Sequence, residues 1–451
     1  MFGKLLVANR GEIAVRIIRA CRELGIKTVA VYSEADADGL HAALADEKVC
    51  LPGFKPVDTY LNMEKVIQAA RETGAGAVHP GYGYLAENEA FALRCGEAGI
   101  FFIGPRPENI RLAGNKLRAK KQAAAAGLPV IPGCERGICT VEEAVAAARD
   151  TGFPVILKAT AGGGGRGMRI CSDEEELREE FPIARAEAGA SFGDVTLYVE
   201  KLLRNPRHIE VQVLGDSGGR VIHLGERECS VQRRYQKLIE ESPSPALDDD
   251  LRDKIGAAAV RLAESINYFN AGTVEFMLDA NNNFYFMEIN ARLQVEHPVT
   301  EMVTGIDIVK EQVRLALGER VKTGVQRHRG HGWALECRIN AEDPEKFFLP
   351  SPGLIECYRA PGGFGVRLDT HVYQGYRVPP YYDSLLAKLV AWGRDRAAAI
   401  CTMRRALDEF TLEPVKTTIP LHKRILADQS FQKGTFNTSL VNRFVPADDD
   451  D

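Results

Sequence analysis

Between Thr273 and Glu301 the chain carries a dense set of side chains able to hold cations and move protons. Glu275, Glu288, Asn290, Arg292, Gln294, Glu296 and His297 all fall within it. The stretch reads as two short strands joined by a polar turn at Asp279–Asn283, a hairpin pattern. Strand alternation puts Thr273, Glu275 and Met277 on one face. On the return strand Glu288 and Asn290 share a face, with Tyr285, Met287 and Ile289 on the other. A register that sets Glu275 beside Glu288 would gather two carboxylates and an amide oxygen, a set suited to Mg²⁺ or Mn²⁺. A solvated acidic face would account for either glutamate alone. It accounts poorly for Glu-Ile-Asn running straight into Arg292-Leu-Gln-Val-Glu-His-Pro298, where no lysine or serine dilutes the polar groups.

Other elements must bring partners to this hairpin. Near the N-terminus, Leu5–Ala8 and Thr28–Tyr32 read as strands around a helix with Ile13, Ile17, Ile18 and Cys21 at helical spacing. The intervening turn, Asn9-Arg-Gly-Glu12, is not G-x-G-x-x-G, which argues against a dinucleotide site. A second unit ends in His79-Pro-Gly-Tyr-Gly-Tyr-Leu-Ala-Glu-Asn88, so an α/β domain occupies the first 114 or so residues. Lys116 opens an Ala- and Lys-rich helix. Farther on, Lys158 ends a strand just before Gly162–Gly167, five glycines in six positions. Such a loop is either a floppy hairpin or a set of backbone N–H groups that close over phosphates. A lysine at its entrance, supplying a cation, favours the second reading. The run Glu226–Lys237 reads as either a solvated basic face or a phosphate patch. Trp333–Asn340 alternates as a strand with Glu336, Arg338 and Asn340 on one face. A guanidinium fixed there suits a developing oxyanion, although an edge-strand salt bridge is the commoner use.

Composition narrows the class. The chain has 451 residues, enough for two or three domains, with 26% charged and 45% apolar residues. A net charge of −5 gives no general attraction to nucleic acid or an anionic membrane. Ten scattered cysteines without a C-x₂-C pair suggest reduced thiols in a cytoplasmic protein. No apolar run approaches membrane-spanning length, and the N-terminus enters a strand with no room for a signal peptide.

The stretch Glu288-Ile-Asn-Ala-Arg-Leu-Gln-Val-Glu-His-Pro-Val-Thr-Glu301 resembles the signature of biotin carboxylases, members of the ATP-grasp ligases. The similarity extends from Ala8-Asn-Arg-Gly-Glu-Ile13 through Cys229-Ser-x-Gln-Arg-Arg-x-Gln-Lys237 to Tyr381–Val390, essentially the whole chain. It implies an α/β (α+β overall) architecture: a Rossmann-like N-terminal domain at 1–114 and an ATP-grasp domain at 115–330. Within the latter a mobile lid would span about 133–203. A C-terminal biotin carboxylase domain would follow at 331–447, with an acidic tail at 448–451.

By the same resemblance, ATP would be bound by Lys116, Lys158, Gly164, Gly165, Glu200, Lys201, Leu203, His208, Gln232, Lys237, Glu275, Met277 and Glu288. Glu275, Glu288 and Asn290 would hold one or two Mg²⁺ or Mn²⁺ ions. Bicarbonate would meet Arg292, Gln294 and the Val295 N–H, and Glu296 would take its proton. Arg338 would stabilise a biotin enolate, with Tyr82 and Gln232 beside biotin. Lys237 and Arg292 join Glu296 and Arg338 as catalytic groups. Tyr235 and Ala291 depart from residues frequent in relatives. The carrier signature Ala-Met-Lys-Met is absent, so biotin is expected on a separate carboxyl carrier protein, with a separate carboxyltransferase subunit and a homodimeric arrangement. Two rivals differ in what they require. A carbamoyl-phosphate-forming ligase is usually a longer duplicated chain, and no repeat is seen here. A non-catalytic ATP-binding subunit would have lost charged residues that are all present.

Overall fold

The computed structural model describes residues 2–160, 168–321 and 331–445. The expected lid glycines Gly164 and Gly165 and the tail 448–451 lie outside them.

The N-terminal segment winds a five-stranded parallel sheet in the order Glu47–Leu51, Lys27–Ser33, Lys4–Val7, Ala77–His79, Phe101–Phe102. The helix Gly11–Glu23 buries Ile13, Ile17, Ile18 and Cys21, the stripe its spacing predicts. That stripe shares a core with Ile308, Val309 and Val313 of the helix Ile308–Ala316, which locks the sheet onto the middle of the chain. Two adjacent strand ends are tied together by Asn9. Its side-chain amide donates to the carbonyls of Pro80 and Tyr82, at 2.7 Å each. Gly81 between them has φ +65°, and a Cβ there would come within 2.9 Å of that amide, so glycine is what lets the turns meet. Tyr82 is thereby fixed at the carboxyl ends of the strands, where open α/β sheets present ligands.

The largest element is an eight-stranded sheet whose neighbours are all antiparallel. Its order is Phe284–Asn290, Asn270–Leu278, Arg207–Gly215, Val221–Arg233, Gln236–Ser242, Trp333–Asn340, Leu385–Gly393, Val366–Thr370. Strand Arg207–Gly215 shows how it divides apolar from polar. Ile209, Val211 and Val213 pack on the helix Asp249–Ser265, while His208, Glu210 and Gln212 are buried on the opposite face. The helix starts cleanly because the Asp248 carboxylate accepts from the Leu251 N–H at 2.8 Å. Hydrogen bonding from Gln236–Ser242 to Trp333–Asn340 carries the sheet into the C-terminal part of the chain. A second core forms there around Leu389, Met403 and Ile425.

A small three-stranded sheet, Arg169–Cys171, Val155–Ala159 and Leu197–Lys201, packs against helices Val141–Thr151 and Glu174–Phe192 around a core of its own. Thr140 and Glu143 form a reciprocal capping box at the first of these helices. Among the described residues no helix is long and apolar enough to cross a membrane.

Candidate active site

A cleft of about 2190 Å³ opens between the parallel sheet, the polar face of the large sheet and the small sheet. That exceeds the room one small ligand needs. Strands Asn270–Leu278 and Phe284–Asn290 form the expected hairpin. Asp279 braces its turn by accepting from the N–H groups of Asn281 and Asn283, at 2.8 Å each. Glu275 lies opposite Glu288 and Thr273 opposite Asn290, so both glutamates face the cleft as the alternation predicts. Met287 does not follow it. The register shifts between Glu275 and Phe276, leaving Met287 as an extra residue against the partner strand. This bulge turns Met287 into the cleft beside Glu288 and Met277, whereas Ile289 stays in the core.

At the centre of the wall Lys237 is surrounded by carboxylates. Its Nζ lies 2.6 Å from Glu210, 3.2 Å from Glu275 and 2.6 Å from Glu296. Arg338 completes the far side, donating to Glu240 at 2.6 Å and to Glu296 at 2.8 Å. Its carbonyl is itself held by Thr418 at 2.8 Å and His422 at 2.7 Å. Burial alone would favour a neutral Glu296, but Lys237, Arg338 and Arg227 hold its carboxyl well below the usual range. Glu275 follows the same logic. Burial opposes ionisation, and Lys237 and His208 outweigh it. Lys237 is pushed well above its ordinary value because three carboxylates overcome desolvation. Removing one member of such a buried set strands the others at a cost of about 3–5 kcal/mol.

Arg292 stands at the rim. It donates to Glu87 at 2.9 Å, to Asn290 Oδ1 at 3.1 Å and to Gln294 Oε1 at 2.5 Å. Asn290 and Gln294 turn their amide N–H groups to Glu275, at 2.8 Å and 3.1 Å. On the small-sheet side, Glu200 takes Lys120 at 2.6 Å and Lys158 at 2.7 Å. Lys116 lies 3.6 Å from Glu288.

The described residues expected at a site therefore converge, with distinctions. Tyr82, Lys116, Lys158, Lys201, Leu203, His208, Gln232, Lys237, Met277, Val295 and Arg338 line the cleft together with the hairpin residues. Glu296 and Glu200 sit behind its wall and reach it through their lysines and arginine. The Lys201 ammonium turns away, to the carbonyls of Gly152 and Phe153. His208 spends its Nε2 on Glu275 at 2.8 Å. The run Glu226–Lys237 is not a solvated face, because Glu226, Arg227, Glu228 and Gln232 are buried and its Gln232 and Lys237 line the cleft where a phosphate patch would lie. It is a hairpin with Arg234 and Tyr235 at its tip, at φ +45° and +65°.

Glu210, Glu240, Arg227 and Glu87 escaped the sequence reading. Glu210 left a trace by alternating with His208 and Gln212 on one strand face, and Arg227 and Glu87 lay inside the runs Glu226–Lys237 and His79–Asn88 without a role of their own. Divalent-cation binding fits this donor set. Lys237 holds Glu275 and Lys116 holds Glu288, so an anion that drew those lysines away would leave two facing carboxylates in need of positive charge.

Three family models cover the chain in sequence. Residues 1–110 match the biotin carboxylase N-terminal domain, and 336–443 match the biotin carboxylase C-terminal domain. Residues 115–323 match the ATP-binding domain of the carbamoyl-phosphate synthase L chain. Fold and cleft together define an ATP-grasp ligase of mixed α/β architecture. A biotin carboxylase of Nostoc sp. is 54% identical over 440 residues, 98% of each chain. The 2-oxoglutarate carboxylase small subunit of Hydrogenobacter thermophilus is 53% identical, over 98% of this chain and 93% of that one. The solved biotin carboxylase domain dimer of the Hydrogenobacter enzyme, in complex with MgADP, ADP and bicarbonate, superposes with a TM-score of 0.96. It is 52% identical and matches 99% of this chain and 100% of that one. The chain belongs to the biotin carboxylase family and is an ATP-dependent ligase.

Proposed function

We propose that this one cleft carries out both steps of ATP- and bicarbonate-dependent biotin carboxylation, giving carboxybiotin, ADP and phosphate. The observation that carries the reading is Glu296, fully buried and ionised between Lys237 and Arg338. Bicarbonate is a poor electrophile, so ATP first phosphorylates it: its oxygen attacks the γ-phosphorus as its hydroxyl proton leaves, ADP departs and carboxyphosphate forms. Arg292, the Gln294 amide and the Val295 N–H seat the anion, and Glu296 accepts the proton. Lys116, Lys158 and Lys237 neutralise the phosphates. Lys237 moving from Glu296 toward the transferred phosphoryl group weakens the attraction that keeps this carboxylate acidic, so its basicity rises when it is needed. Glu275, Glu288 and Asn290 would hold Mg²⁺ or Mn²⁺, which supplies charge neutralisation at the phosphates when bound. Carboxyphosphate then divides into CO₂ and phosphate. The phosphate removes the ureido N–H proton of biotin, and the biotin nitrogen attacks CO₂. Arg338 stabilises the enolate oxygen, with Tyr82 and Gln232 against biotin.

Lys201, Leu203 and the backbone of Glu200 serve adenine, His208 the ribose, and Met277 the nucleotide face. Glu200 also positions Lys158. The division at 114 and 330, with a lid over about 133–203 that closes on ATP through Gly164 and Gly165, belongs to the same proposal. The relatives are subunits or domains of biotin-dependent carboxylases, and one is a dimer. That supports a homodimer working with a biotin carboxyl carrier protein and a carboxyltransferase, and its ten cysteines, all free, support placing it in the cytoplasm. The test is ADP release with bicarbonate, with and without free biotin. Biotin-stimulated, bicarbonate-dependent release is expected. Release that ignores biotin would defeat the reading.

A further inference from the structure

One buried side chain ties together two segments that the reaction needs side by side. Lys388 stands in the middle of strand Leu385–Gly393, cross-strand from Arg338 and from Asp369. Its side chain has no solvent exposure, and an ammonium so buried is costly unless paired. Its ammonium lies 5.7 Å over the Tyr82 ring and has two closer oxygen partners. The Nζ donates to the Val295 carbonyl at 2.9 Å and lies 3.1 Å from a Glu12 carboxylate oxygen. Glu12, in the first turn of the helix Gly11–Glu23, also accepts from the Tyr82 hydroxyl. A continuous run of charge-assisted hydrogen bonds thus leads from Tyr82 through Glu12 and Lys388 to Val295.

The side chains of the segment it reaches are anchored elsewhere, Arg292 on Glu87, Gln294 on Glu275 and Glu296 on Lys237 and Arg338, whereas the Val295 carbonyl is held by Lys388. Residues 291–296 belong to no strand or helix, so no ladder sets their peptide planes. The Val295 carbonyl shares one rigid peptide group with the Glu296 N–H. Its direction therefore sets the backbone from which Glu296 reaches Lys237 and Arg338, and only one residue's dihedrals separate it from the Val295 N–H.

We propose that Lys388 is a positioning residue for bicarbonate, an inference that rests on the functional reading above. Its ammonium clamps the Val295–Glu296 peptide to Glu12 and so holds the bicarbonate segment in register with the biotin-side Tyr82. Neither Lys388 nor Glu12 touches the reacting atoms.

The test compares Lys388→Met and Glu12→Gln with the unsubstituted protein, measuring ADP release, the KM for each substrate and the melting temperature. Lys388→Met is expected to raise the KM for bicarbonate at least about tenfold, the weight of one charge-assisted hydrogen bond. Glu12→Gln is expected to raise it by about threefold or more. The KM for ATP should stay within about twofold in both, because the lysines proposed for its phosphates are untouched. A merely structural lysine would instead lower kcat or the melting temperature and leave the bicarbonate KM alone, and that result overturns the proposal. Should Lys388→Met fail to fold, the near-isosteric Glu12→Gln decides, and an unchanged bicarbonate KM there overturns it as well. A parent protein that releases no ADP in response to bicarbonate would defeat the functional reading and this proposal together. An active parent whose variants keep its bicarbonate KM defeats this proposal alone.

Discussion

On the large sheet and the turn that follows its hairpin, Lys237, Arg338, Glu210, Glu275 and Glu296 pair with side-chain exposures of 17% or less. On the small sheet's helices, the pairs Arg149–Glu174 and Arg178–Glu174 are 32% to 67% exposed. The first set is desolvated, so every charge depends on its partners and on geometry held by strands. The second set is solvated, and its pairs are worth little individually. The contrast separates a preorganised wall, where charge is arranged for chemistry, from a unit held by its own apolar core. The two regions meet at Glu200, a buried carboxylate on the small sheet. It holds Lys120 and Lys158 and is kept below its ordinary range because those lysines outweigh burial.

The sharpest way to break the comparison is to remove a carboxylate from the wall. Glu296→Ala is expected to lower turnover by roughly 10²–10⁴-fold while ATP binding is largely kept. Turnover within a few-fold of the parent would take Glu296 out of its role. Arg338→Gln should come next, slowing biotin carboxylation by about 10²-fold or more with ATP affinity nearly unchanged. A defect confined to ATP affinity would contradict its assignment.

A subtler effect concerns pH. Burial, reinforced by Glu296, pushes the Glu240 carboxyl up to about 7. The folded state then holds a proton that the unfolded chain releases near its ordinary value, so this group's contribution falls as pH rises from about 4.5 to 7. Glu240→Gln should flatten the fall in melting temperature across that window. An unchanged slope would show that Glu240 does not titrate there. The smallest effect belongs to the exposed pair. Arg149→Ala should move the melting temperature by less than about 2 °C. A larger shift would mean the small sheet relies on its surface charges after all.

Much of the site was legible because its logic is local. Period-two alternation was enough to put Glu275 and Glu288 on one face, and the helical stripe Ile13–Cys21 was enough to bury one side of the first helix. Two local features escaped for physical reasons. The bulge at Met287 breaks the alternation without any glycine or proline to announce it. The hairpin tip Arg234–Tyr235 places two ordinary residues at positive φ, where glycine or asparagine would have signalled a tight turn. Such strain persists only when flanking strands hold it.

What the amino-acid order determined by itself was which charges share a strand face and which helices have an apolar side, because both follow from the fixed geometry of each element. Tertiary structure alone decided who pairs with whom. Lys237 meets Glu210 from 27 residues away and Glu296 from 59 away, and Arg338 meets Glu296 across 42. Those separations close only when the strands take their order in one sheet. The strength of each pair then depends on distance and on exclusion of water, and neither exists until the sheet is packed.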